Sequence, residues 1–130
     1  MIENRLAVVG SRGFGSRALV FEELDKLRNK AIENDQSLVI VSGGARGVDS
    51  WAIEFAIARD VEYIEHLPDW DLHGKSAGFK RNHTIWDDAT CGIAFWDGQS
   101  KGTEHSFKIA ENQDKALKVV VLKSYTIHKD

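Results

Sequence analysis

Leu38-Val39-Ile40-Val41-Ser42-Gly43-Gly44-Ala45-Arg46-Gly47-Val48-Asp49 decides how this chain is read. Four apolar residues in a row, three of them β-branched, make a strand buried on both faces. Ser42, Gly43 and Gly44 stop it. The nearly all-apolar stretch Trp51 to Ala58 then reads as a well-buried helix. A strand, a glycine-rich loop and a helix form the first part of a crossover unit. Three glycines and a serine in such a loop suit a ligand pressed against the main chain, because no Cβ keeps an anion from the backbone N–H groups.

The same succession recurs on both sides. Leu6-Ala7-Val8-Val9 is a strand that runs into Gly10-Ser11-Arg12-Gly13-Phe14-Gly15. Ser16 offers an oxygen to open a helix whose inner face is Val20, Leu24, Leu27 and Ala31. Val61 to Leu67 reads as an edge strand before the lone proline, Pro68. Gly78 to Ala89 is polar but fits a helix with Ile85 and Ala89 inward. Ile93 to Trp96 is the next strand, Thr103 is positioned to cap a helix carrying Phe107 and Ala110, and Leu117 to Leu122 is the last strand. Trp51, Phe55 and Trp86 supply apolar area to the core. This alternation predicts an α/β, Rossmann-like three-layer fold: a five-stranded, mostly parallel sheet with helices on both faces. Residues 1–130 fit one domain, large enough to fold without a metal or disulfide staple.

Composition excludes several classes. With 17 basic and 20 acidic side chains the chain is net acidic, which argues against a general surface for duplex nucleic acid. Cys91 is alone, so neither an internal disulfide nor a multi-cysteine zinc site is available. The five histidines show no paired metal spacing, and neither metal nor cofactor is expected. No apolar run approaches the ~18 residues of a membrane span, and Met1 to Gly10 lacks a signal-peptide layout. The expected compartment is the cytoplasm, with no membrane partner; a homo-oligomer is left open.

In a doubly wound sheet, ligands sit outside the carboxyl ends of the strands. Four loops are placed there. They carry Gly10, Ser11 and Arg12; Ser42, Gly43, Gly44, Arg46 and Asp49; Lys75, Arg81 and Asn82; and Asp97, Gly98, Ser100, Lys101, Gly102 and Thr103. With Lys80 they hold six basic residues against Asp97 and Glu104, or three acidic ones if Asp49 is included. A net basic edge on a net acidic protein favours a small anion. Asp49 has two readings, which are compatible: a helix cap, or an acceptor for a ribose hydroxyl. Trp70 and Trp96 flank the loops, where a ring can stack on a base, and His105 reads as an ordinary surface histidine. If the domain is catalytic, the carboxylates to hand are Asp49, Asp97 and Glu104.

Taken together, Val9-Gly10-Ser11-Arg12, Ser42 to Asp49, Ala77-Gly78-Phe79-Lys80-Arg81-Asn82 and Phe95 to Thr103 resemble the SLOG superfamily, and within it the YspA/cpYpsA-related branch. The resemblance runs from about residue 5 to 122. It implies a nucleotide-binding Rossmann-like domain that holds a nucleotide or an ADP-ribose-like anion as a sensor or carrier. Two related groups imply alternatives. The lonely-guy phosphoribohydrolases, once called lysine decarboxylase-like, carry Gly-Gly-x-Gly-Thr-x-x-Glu with a catalytic glutamate. Here Gly102-Thr103 matches the Gly-Thr pair, but Ser106 stands at the glutamate position. Glu104 is two residues away, about 160° round a helix. Hydrolysis or transfer at a nucleotide N-glycosidic bond is therefore the alternative, and a ligand-binding domain the favoured reading. The DNA-processing protein DprA carries motifs matched by Gly10-Ser11-Arg12, Ala45-Arg46-Gly47-Val48-Asp49 and Arg81-Asn82, which makes single-stranded DNA a further alternative.

Overall fold

The computed structural model describes residues 2–121. In chain order its elements are β1 (Ile2–Gly10), α1 (Arg17–Glu33), β2 (Gln36–Ser42), α2 (Val48–Ala58), β3 (Glu62–Glu65), α3 (Trp70–His73), a 3-10 turn (Gly74–Ser76), α4 (Ala77–Asp88), β4 (Cys91–Trp96), α5 (Lys101–Asn112) and β5 (Leu117–Val121). The sheet has the order β3-β2-β1-β4-β5, and every pairing is parallel. The expected five strands are present, and the sheet is wholly rather than mostly parallel. Leu122 lies outside the described residues.

Alternation along the central strands makes two cores from one apolar run. Leu6 and Val8 face α1 and α2, where they join Val20, Leu24, Ile40, Phe55, Ile93 and Phe95. Ala7 and Val9 face α4 and α5, with Val41, Ile85, Trp86, Ala94, Ile109 and Ala110. The second face has small residues on its strands because Trp86 is large. A Cβ added at Gly92 would stand 2.2 Å from the Trp86 ring, so glycine is what lets α4 lie flat on β4. Phe55 and Trp86 are fully buried, as expected, whereas Trp51 is only half-buried.

The elements begin where polar groups can be paired, and this corrects several expectations. β1 starts four residues before its apolar run; there the Arg5 N–H donates to Thr90 Oγ1 at 3.0 Å. Ser16 caps α1, its oxygen accepting from Leu19 N–H at 3.2 Å. Thr103 does not cap α5; Ser100 does, accepting from Thr103 N–H at 3.4 Å. Nor does Asp49 cap α2, which opens after Gly47 with Asp49 already inside its first turn. Gly47 has φ +81°, a conformation that suits glycine. The stretch after Pro68 is not plain loop: Asp69 caps the short α3 by accepting from Leu72 N–H at 3.0 Å. No helix among the described residues is long and apolar enough to cross a membrane.

Candidate functional site

The strand order reverses between β1 and β4. From that point the crossovers diverge, α1 and α2 covering one face while α4 and α5 cover the other, so the loops after β1 and β4 leave a gap. A cleft of about 420 Å³ opens there, lined by Gly10, Arg12, Gly13, Ala45, Asp49, Arg81, Asn82, Asp97, Ser100, Gly102, Thr103 and Ser106 over a floor of Val9 and Ile85.

One wall is the start of α5. The first N–H groups of a helix have no carbonyl four residues back, and the helix dipole adds positive potential. Ser100 serves one of these donors, at Thr103. The turn before it is held by Asp97, whose Oδ1 accepts from Gln99 N–H and Ser100 N–H, each at 2.8 Å. Those backbone donors keep the Asp97 carboxyl below the usual range. Ser11 locks the β1 loop to this wall. Its buried hydroxyl accepts from Asp97 N–H at 3.1 Å and lies 3.5 Å from Thr103 Oγ1, while its own N–H donates to the Phe95 carbonyl at 2.9 Å. Trp96 braces the far side by donating its indole N–H to the Ser100 carbonyl at 3.1 Å.

The opposite wall comes from α4 and the start of α2. The Arg81 guanidinium donates to the Gly43 carbonyl at 2.6 Å. A Cβ at Gly43 would stand 2.5 Å from Arg81 Nη1, so this glycine is a seat for the arginine. Asn82, one residue on, has its amide 3.3 Å from His105 Nδ1. His105 packs edge-to-face on Phe79 and on His83; burial, and then the charges of His83 and Lys108, lower its pKa. Asp49 is buried at the back of the cleft, with Oδ2 accepting from Ala45 N–H at 3.3 Å. Desolvation pushes its carboxyl up to about 6, against the pull of Arg81, Ala45 N–H and Arg12. Arg81 in turn is lowered by burial, with Asp49 opposing that shift. A buried carboxylate facing two arginines in a cleft is a marker of functional sites.

Nine of the residues proposed from sequence line the cleft together: Gly10, Arg12, Asp49, Arg81, Asn82, Asp97, Ser100, Gly102 and Thr103. Ser11, Ser42 and Gly43 lie behind its wall, where Ser42 Oγ donates to the Asp49 carbonyl at 3.0 Å. Gly44, with φ +70°, is set against Glu65 and Leu67. Arg46, Gly98, Lys101 and Glu104 are exposed and outside the lining. Lys75 is exposed in the 3-10 turn and does not line the cleft. Val9, Gly13, Ala45, Ile85 and Ser106 also line the cleft, beyond the contacts expected from the sequence. Ser106 follows Thr103 by three residues and Ile85 follows Arg81 by four, so helical spacing is the signal that could have found both. Ser106 is buried and faces the cleft, while Glu104 faces solvent. Among the described residues no group of three or more His, Cys, Asp or Glu side chains is placed to hold a metal ion.

Similarity to known proteins follows the same architecture. Over 94% of the chain the fold superimposes on DNA processing protein A from Helicobacter pylori, with TM-score 0.69 and 22% identity, and covers 67% of that protein. Its counterpart from Streptococcus pneumoniae matches 95% of the chain with TM-score 0.70 and 19% identity. The chain spans about half of that longer protein, 52%. The Gene 61 protein of Mycobacterium phage D29 is 34% identical over 113 residues, covering 82% of this chain and 88% of the phage protein. Residues 4–73, which carry β1, β2 and the two loops that meet at Asp49, match the family described as YspA, cpYpsA-related SLOG. The chain belongs to that family.

Proposed function

We propose that the cleft binds a nucleotide-derived anion of the ADP-ribose kind and does not turn it over. The observation that carries this reading is the convergence of Arg12, Arg81 and the start of α5 on one cleft at the strand-order reversal. Phosphate fits at the α5 N-terminus, where the N–H groups of Lys101 and Gly102 begin the helix. Arg12 and Arg81 neutralise its charge, and Asp49 is placed to accept from a ribose hydroxyl. Small molecules released by heat from the purified protein, identified by mass spectrometry, name the ligand. Calorimetry with AMP, ADP-ribose and adenosine then tests the phosphate. A charge-assisted contact contributes about 1.5–3 kcal/mol, so Arg81→Ala is expected to weaken phosphate-bearing ligands by roughly tenfold or more. Equal affinity for adenosine and AMP would refute a phosphate site.

A second reading is a phosphate of single-stranded DNA in the same cleft. The Helicobacter neighbour is described with a single-stranded DNA binding mode. In this chain Trp70 and Phe79 are exposed, and Lys75 and Lys80 lie on the same α3–α4 segment, a combination suited to stacking and backbone contact. An oligothymidylate that binds with a steep salt dependence, and displaces a mononucleotide, selects this reading.

A further inference from the structure

A second cavity, of about 400 Å³, lies at the other end of the sheet, beneath the last turns of α1. Along β1, Leu6 lines this cavity and Val9 the floor of the cleft, about 10 Å apart at about 3.3 Å per residue. Leu6, Leu27, Leu38 and Leu117 form an apolar wall, with the amides of Asn4, Asn34 and Gln36 also in the lining. Lys30 and Lys118 line it as well, and no carboxylate does. Lys118 is shared, its Nζ lying 3.0 Å from Glu23 Oε2. Lys30 is exposed and makes no ion pair among the described residues. At the end of α1 the Asn34 N–H donates to the Lys30 and Ala31 carbonyls at 3.1 and 3.2 Å and the Asp35 N–H to the Ile32 carbonyl at 3.1 Å, which tempers the negative potential of that terminus.

We propose that this cavity is a second binding site, for a small monocarboxylate with an apolar body. The leucine wall takes hydrocarbon in preference to water. A cation at its margin sets which end of the guest stays in solvent, as in other sites where a few polar groups orient a mostly apolar ligand. The site does not depend on the nucleotide reading of the cleft.

Cys91 makes the site testable. It is the chain's single cysteine, it lines the cavity half-buried, and its thiol donates to Asn4 Oδ1 at 3.3 Å. Burial raises its pKa, so little of it is thiolate, the form that attacks an alkylating reagent, and it reacts slowly. The experiment follows alkylation of Cys91 by iodoacetamide in the whole chain, with decanoate or decanol as competitor. Decanoate is expected to slow the reaction at least tenfold, saturably, and to raise the Tm. Each methylene seated adds about fourfold in affinity, so octanoate should protect at higher concentration. Decanol should protect several-fold less well, and Lys30→Ala should erase that difference. No protection by decanoate, equal protection by decanol in the unaltered protein, or a fall in Tm would overturn the proposal.

Discussion

Asp49 is the residue at which burial and charge oppose each other most strongly. Its folded pKa, about 6, lies above the ordinary 3.8. Between those values the folded chain holds a proton that the unfolded chain releases. The group's contribution is thus complete below pH 4 and is lost as pH rises through 6. At pH 7 the ionised carboxylate costs about 3 kcal/mol relative to acid. Asp49→Asn should raise the unfolding free energy at pH 7.5 and flatten its dependence between pH 4 and 6, measured by urea denaturation; the asparagine oxygen can still accept from Ala45 N–H. Lower stability of the variant at pH 7.5 would mean that the attraction of Arg12 and Arg81 outweighs desolvation. That environment was not legible in the sequence. Aspartate near a helix start reads as a cap by its chemistry alone, and only the chain path through Gly47 shows that the helix opens before it.

At the scale of elements, strands were more legible than helix starts. Leu38–Val41 and Ile93–Trp96 declare themselves because a strand buried on both faces tolerates nothing polar. Around α5 two hydroxyls, Ser100 and Thr103, compete for one capping position, and residue type does not separate them. α3 was invisible because four residues carry no period. Two predictions belong here. Ser100→Ala should cost about 1 kcal/mol of stability and weaken AMP more than adenosine in calorimetry, since the cap also shapes the phosphate wall. Gly92→Ala should cost about 1–3 kcal/mol in thermal or urea unfolding, because the new methyl meets the Trp86 ring. An unchanged midpoint would mean that α4 lifts from β4 at no cost.

The whole molecule follows from one rule of handedness. Right-handed crossovers from β1 out to β3, and back across to β4 and β5, place the loops after β1, β2 and β4 on one edge. The expected net basic edge narrows at the cleft to Arg12 and Arg81 against Asp49 and Asp97, because Arg46, Lys75 and Lys101 lie outside its lining, and which glycines serve the ligand and which serve packing was not legible. Gly43 seats Arg81, and a pattern of glycines does not record such a partner from another helix. The cleft also bears on turnover: Ser106 faces it where the hydrolases carry a carboxylate, and a serine neither stabilises an oxocarbenium charge nor acts as an acid at neutral pH. Incubation with AMP, dAMP or NAD should therefore release no free base by chromatography. Many turnovers, abolished by Asp49→Asn or Asp97→Asn, would make the protein an enzyme. The brace from Trp96 to the Ser100 carbonyl has a practical consequence. An indole's emission follows the field and hydrogen bonding at its nitrogen, so a phosphate docking on α5 should change the fluorescence of Trp96 without any added dye. Trp86, sealed in the core, would report unfolding instead, and the two signals need not move together.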